Sequence, residues 1–294
     1  MKRQKLVYHG LVSKHSTLAI DFEIMKKAGF DGLEISAAKM KEVLSAGIPE
    51  SELAAWLSEI YIPGIGFLLD IERTGPLADQ LFSDAAEFYR LAKIAGANGV
   101  QVLTGPVQVS AVEEFAKGGS SGLYEGVLRL PRTEQLAVTA KNLAILADEA
   151  ARYGLLLYLE SLAWTPLNRL SDQVELIQRA ERDNVKLVVD YWHCYASGDT
   201  PDDVAKLNAD IIYGVHICDS LSFSGGIPNE SVLRDVPTGK GVLKLRDWTE
   251  AVKSTGYVGW WSCELFCRRQ QQGNSFQVAG ELHSLMSELV NTSK

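Results

Sequence analysis

LLYLESLAWTPLNRLSDQVELIQRAERDNVKLVVDYWH, residues 156–193, contains the repeating unit that decides the fold. It opens on an apolar run, Leu156–Leu162, carrying Glu160; Asp172–Arg179 then follows a helical period, and a second apolar run, Lys186–Tyr191, ends around Asp190. Continuous apolar runs mark strands buried on both faces, and a helix between two of them is the crossover that parallel neighbours need. The same alternation extends in both directions. Strands are expected at Leu6–His9, Gly32–Ser36, Gly64–Leu69, Gly99–Leu103, Ile212–Ile217 and Trp260–Leu265. Helices are expected at Thr17–Ala28, Ala78–Ile94, Thr133–Tyr153, Leu245–Lys253 and Ser275–Leu289. Strand followed by helix eight times over 294 residues predicts an α/β protein, a single (β/α)8 TIM barrel filling residues 1–294, with an open doubly wound sheet as the alternative. Glycine-bearing junctions at Ala28–Gly32, Ala95–Gly99 and Thr255–Gly259 end helices and turn the chain into the next strand. Long connections at Thr104–Arg132 (with Gly118-Gly119-Ser120-Ser121-Gly122) and Asp219–Leu243 are expected as lids at the catalytic end.

Composition narrows the partners. Hydrophobic residues are 46% and charged residues 22%, enough apolar surface for a large core. The net charge of −8 and pI near 5.3 argue against a nucleic-acid or anionic-membrane partner, since each needs a basic face. A small molecule is the expected partner. The apolar run near the N-terminus is interrupted by His9 and Gly10, nothing approaches the ~18 apolar residues of a membrane span, and a cytoplasmic location is expected. Cys194, Cys218, Cys263 and Cys267 form no CxxC pair and are read as reduced packing residues.

The last four strands each close an apolar run with ionisable groups: Leu157-Tyr-Leu-Glu160, Leu187-Val-Val-Asp190-Tyr-Trp-His193, Gly214-Val-His216-Ile-Cys-Asp219 and Trp261-Ser-Cys-Glu264. Singly, such a carboxylate has a plainer reading as a helix cap or salt-bridge partner, and such a histidine as a hydrogen-bonded packing residue. Together, at equivalent places on successive strands, they point at one volume above a barrel, where crowded carboxylates repel one another unless a divalent cation joins them. Three oxygens and one imidazole suit manganese, magnesium or cobalt better than thiolate-rich structural zinc, with zinc still within range. Such an ion polarises a carbonyl and eases proton removal from the neighbouring carbon.

The chain resembles the xylose-isomerase-like barrel superfamily, the sugar phosphate isomerase/epimerase family, over essentially its whole length. The resemblance rests on Leu159-Glu160, Val189-Asp190-Tyr-Trp-His193, Val215-His216-Ile-Cys-Asp219, Arg234-Asp-Val-Pro237-Thr-Gly239-Lys-Gly241 and Cys263-Glu264. It implies that Glu160, Asp190, His216 and Glu264 hold one metal ion, that His193 and Arg234 bind substrate, and that, for a ketose substrate as in the family's ketose 3-epimerases, Glu160 and Glu264 also shuttle the proton. Glu34 matches the family's second-strand acid, an orienting or substrate-binding group. Trp164, just beyond Glu160, is read either as a face for a sugar-like ring or as an aromatic rim residue packing the lid. The epimerases carry an arginine soon after the metal histidine; here Leu221-Ser-Phe-Ser-Gly-Gly follows and Arg234 comes later, which leaves the substrate open. Five histidines, His9, His15, His193, His216 and His283, are too few for the family's trinuclear zinc nucleases, and no phosphate-cradling glycine loop or nucleophile elbow is present.

The preferred expectation is a metal-dependent isomerase or epimerase of a small polyhydroxy ketone or aldehyde. A dehydratase of the inosose or dehydroshikimate type is the alternative, followed by a non-catalytic sugar-binding barrel. Homodimers or homotetramers through the outer helices are compatible with the sequence.

Overall fold

A computed structural model describes residues 3–119 and 122–292. Ser120 and Ser121, in the glycine-rich part of the first expected lid, lie outside the described residues. Eight strands run in chain order: β1 Lys5–His9, β2 Gly32–Ser36, β3 Ile65–Leu68, β4 Gly99–Leu103, β5 Leu156–Glu160, β6 Val185–Asp190, β7 Ile212–His216 and β8 Trp260–Ser262. All neighbouring strands pair in parallel, and β8 closes onto β1 through Lys5 opposite Trp260 and Val7 opposite Ser262. The open-sheet alternative is thereby excluded.

The principal crossover helices match the expected periods: α1 Leu18–Ala28, then, after the small helices α2 Ala37–Ser45 and α3 Glu50–Leu57, α4 Pro76–Ala95. After α5 Val109–Ala116 come α6 Arg132–Arg152 and α7 Leu170–Ala180. Beyond β6 lie α8 Tyr191–Ser197, α9 Pro201–Val204 and α10 Glu230–Leu233, followed by α11 Leu245–Ser254, α12 Arg268–Gln271 and α13 Ser275–Asn291. β5 and β8 end earlier than the apolar runs imply. Pairing stops once Glu160 stands opposite Leu103 and Ser262 opposite His216, so Glu264 lies two residues past the last ladder position.

Side-chain alternation along these strands builds the barrel interior in layers. Val7, Tyr158, Val188 and Trp260 form a buried cluster of their own, separate from the larger core between strands and helices. Two of its members are too large for a barrel of uniform side chains. Glycines opposite make room: a Cβ on Gly214 would lie 2.1 Å from the Trp260 ring, and one on Gly64 2.3 Å from the Tyr158 hydroxyl. Two residues further along the same strands, on the same face, come His9, Glu160, Asp190 and Ser262. A plug of aromatic and aliphatic side chains therefore floors a polar layer at the C-terminal mouth. The four cysteines are free and buried, and Cys263 turns its sulfur to the Thr238 hydroxyl, 3.3 Å away.

Candidate metal centre

Glu160 ends β5, Asp190 ends β6 and His216 ends β7, while Glu264 follows β8. One donor atom from each lies within 4.8 Å of those of the others, and all four side chains are buried. Asp190 has two local jobs. Its Oδ1 accepts the His193 backbone N–H at 2.7 Å as the N-cap of α8, which fixes the carboxylate's direction and places His193 three residues on, over the same mouth. Asp219, also at a strand end, belongs to the loop instead. Its carboxylate accepts the backbone N–H groups of Ser220, Gly239, Gly241 and Leu243, so it staples residues 219–243 into shape.

The donors fit a cation. Glu160 Oε1 and His216 Nδ1 are buried, lack hydrogen-bond partners and face each other at 3.4 Å. Other buried polar atoms of the chain also lack partners, but these two stand among four converging donor groups, which fits a cation. Burial, then repulsion from Glu264 and Asp190, raises the Glu160 carboxyl to about 8 against the opposing pull of His216. Burial also opposes ionisation of Glu264, yet Arg234, His216, His9 and His193 outweigh it and hold its pKa at about 2. Arg234 Nη2 supports that charge directly, 2.9 Å from Glu264 Oε2 and 3.0 Å from its backbone carbonyl. Among the described residues no cysteine joins a metal-capable cluster.

A supporting layer fixes these side chains. Gln101 donates to Glu160 Oε2 at 2.7 Å. Glu34 lies on the other side of His216, its Oε2 3.2 Å from Nε2, and itself accepts from the Tyr158 hydroxyl at 2.8 Å and the Ser262 hydroxyl at 3.0 Å. A carboxylate on one imidazole nitrogen leaves the other as a ligand atom, the arrangement commonly found behind metal-bound histidines. Burial works against a charged His216, but Glu34 and Glu160 flank it and raise its pKa well above the usual value. His9 completes the layer, with Nε2 3.7 Å from Glu34 and 3.8 Å from Glu264. His9, Glu34 and His216 also lie close enough together to hold an ion. The Tyr158 and Ser262 bonds to Glu34 instead suit an orienting role for that carboxylate.

Above the cluster is a cavity of about 670 Å³, walled by Glu160, Glu264, Trp164, His193 and Phe67 and by both expected lid segments through Val107–Ser110 and Asn229–Ser231. A narrower pocket of about 240 Å³ adjoins it and reaches His9, Glu34 and Gln101. Trp164 is held at the wall by its indole N–H on the Pro106 carbonyl, and its ring tilts against His193. Arg234 is buried, with Nη1 on Glu230 at 2.8 Å and Nη2 on Glu264, its guanidinium 4.1 Å from the Phe266 ring centre. Every site residue expected from the sequence is thus in or directly beneath the mouth. Sequence reasoning missed His9, Gln101, Tyr158, Ser262 and Glu230. The first four follow from inward alternation once the strand registers are known, whereas Glu230 sits on a four-residue helix with no periodic signal.

A family profile described as xylose isomerase-like TIM barrel matches residues 22–288. The chain belongs to this family. Within the xylose isomerase-like barrels it is similar to an inosose isomerase of Halalkalibacterium halodurans, 29% identical over 270 residues, 89% of this chain and 88% of the relative. It is also similar to a 3-dehydroshikimate dehydratase of Pseudomonas aeruginosa, 29% identical over 131 residues, 44% of this chain and 21% of that protein. The crystal structure of the IOLI protein with a bound zinc atom superposes with a TM-score of 0.83 at 20% identity, covering 98% of this chain and all of that one, and it shares the fold.

Proposed function

We propose that this xylose isomerase-like barrel is a divalent-metal-dependent isomerase or epimerase of a small polyhydroxy ketone, inosose-like in size and polarity. The observation that supports it most is geometric: Glu160 and Glu264 both wall one cavity, and each presents a donor atom within 4.8 Å of the other and of Asp190 and His216, so two carboxylates stand beside any substrate held over the ion. Glu160, Asp190, His216 and Glu264 hold the ion; manganese, magnesium or cobalt suits this oxygen-rich set, and zinc falls within the range of the ligands. When bound, the ion stabilises negative charge developing on the substrate oxygen.

The chain's own groups do the remainder. Glu160 and Glu264 exchange the proton on the carbon next to the carbonyl, and Arg234 keeps Glu264 ionised to receive it. Glu34 and Gln101 hold His216 and Glu160 in direction. His193 is neutral, because burial lowers its pKa to about 4, and its Nδ1 accepts the Ala163 backbone N–H, so Nε2 carries the hydrogen offered to substrate. Trp164 supplies an apolar face for the ring. The four free thiols suit the cytoplasm, and no described helix is long and apolar enough to cross a membrane. Association into a homodimer or homotetramer is part of the reading.

A second reading, a dehydratase of the inosose or dehydroshikimate type, shares the same proton abstraction and draws on the similarity to the Pseudomonas enzyme. Incubation of the metal-loaded protein with inososes and ketoses in heavy water separates the possibilities. Solvent deuterium enters the carbon beside the carbonyl in the wild type, while Glu160→Gln and Glu264→Gln each lower the rate by at least ~10²-fold. Appearance of an ultraviolet-absorbing enone assigns the dehydratase; full exchange in either Gln variant refutes the acid–base pair.

A further inference from the structure

Glu160 and Glu264 account for a proton on carbon. Moving a carbonyl to the neighbouring carbon makes a second demand: the hydroxyl oxygen that becomes the carbonyl loses a proton, and the former carbonyl oxygen gains one. Glu160 and Glu264 are already occupied with the carbon and the cation, and Asp190 caps α8. A third carboxyl is present. Glu230 opens α10 and lines the same cavity as Glu160 and Glu264, with Asn229 and Ser231 beside it. Its Oε1 accepts from Arg234 Nη1 at 2.8 Å and stands 3.7 Å from His193 Nε2. Its second oxygen enters no hydrogen bond among the described residues, and the side chain keeps 21% exposure.

The surroundings leave this carboxyl without a cation of its own. The guanidinium of Arg234 spans Glu230 and Glu264 and also lies 3.5 Å from Asp190, so one positive charge serves three carboxylates. Burial, with further repulsion from Glu264 and Asp190 and an opposing contribution from Arg234, brings Glu230 to about 7. The groups that face it are Arg234, His193, Glu264 and Asp190, and His193 is a neutral donor.

We propose that Glu230 is a catalytic carboxyl for the oxygen-bound proton: its free oxygen contacts the substrate's hydroxyl–ketone edge and, with His193 beside it, carries the proton from one oxygen to the other. Glu230 takes the hydrogen from the hydroxyl oxygen as that carbon–oxygen bond becomes double, and it returns the hydrogen to the former carbonyl oxygen. The carbon-bound proton moves on the Glu160–Glu264 pair. No atom or electron is gained or lost, and no co-reactant is needed.

This inference rests on the isomerase reading and is tested separately from it by following two signals in one reaction, with an inosose as probe and the metal-loaded enzyme. One signal is deuterium entry at carbon, and the other is appearance of the migrated ketone. Gln at 230 still accepts from Arg234 but cannot carry a proton. Glu230→Gln should therefore keep metal content, while kcat for carbonyl migration falls ~10²-fold and at least ~10-fold further than carbon exchange does. Glu230→Asp should recover part of the loss. Equal loss of both signals, or of bound metal, makes Glu230 a structural support for Arg234 and overturns the proposal, as does a Gln variant that migrates the carbonyl at the wild-type rate. Carbon exchange without migration in the wild type overturns it too. A wild type showing neither signal fails the isomerase reading itself.

Discussion

At the scale of the residue, Glu34 illustrates how a buried carboxylate can act through another side chain. Burial alone raises its pKa, yet His216, His9 and the Tyr158 hydroxyl more than offset that cost and leave it ionised against the imidazole. Glu34→Gln removes the charge while keeping size and a hydrogen-bonding end. Divalent-cation affinity, measured by isothermal titration, should fall 10- to 100-fold, as is typical when an orienting partner of a metal-bound histidine is lost. Unchanged affinity would show that Glu34 serves something other than His216. The cluster of Glu160, Asp190, His216 and Glu264 was legible in the sequence, because each of its members breaks or follows an apolar run that must lie inside the protein. Glu34 was legible as an acid on β2 but not in direction: which neighbour it serves depends on strand register, and register is fixed only when the barrel closes.

At the β6–α8 junction, a carboxylate of the buried cluster is tied to a helix start. The sequence reads as strand through Tyr191, but Asp190 caps α8 and the helix begins at Tyr191 itself. Capping, not periodicity, sets that boundary, and the seven residues of α8 are too few to announce a helix by pattern. Substitution separates the two jobs. Asp190→Asn keeps a good cap and Asp190→Ala does not, so the Ala variant should be less stable than the Asn variant by about 1 kcal/mol in denaturant unfolding. Both should lose cation affinity to a similar extent. Equal stability of the two would mean that the cap contributes nothing to holding Asp190. The loops follow the same lesson. Their length marked them as cavity walls, but the four backbone donors gathered by Asp219 are a product of the folded turn and leave no spacing rule behind.

Across the whole molecule, the repeating strand–helix alternation made the barrel legible, since apolar runs of this kind tolerate few other closures. What the alternation does not give is the electrostatic balance at the mouth. Burial raises the carboxyls of Glu160 to about 8 and Glu230 to about 7, and also that of Glu72, on the loop after β3 where it accepts the Gly105 backbone N–H, to about 7. Groups of this kind stabilise the fold fully below the unfolded carboxyl value of about 4.5, and that stability is lost as pH rises through 7 to 8. Glu264 is depressed to about 2, so its contribution is constant over the same window and fails only in acid. Chelator-treated protein should therefore melt at progressively lower temperature between about pH 5 and pH 8. A saturating divalent cation, which takes the place of the Glu160 proton, should raise the melting temperature more at about pH 8 than at about pH 6. A pH-independent shift would place the cation away from Glu160.

If Glu160, Asp190, His216 and Glu264 share one ion, the number of ions bound per chain follows from them. Chelator-treated protein is titrated with cobalt(II), and bound metal per chain is determined by elemental analysis. The expected result is one ion for the wild type and essentially none for a variant carrying Glu160→Gln, Asp190→Asn, His216→Asn and Glu264→Gln. Retention of one tightly bound ion by that folded variant, or failure of the wild type to bind any in excess cobalt, would contradict it.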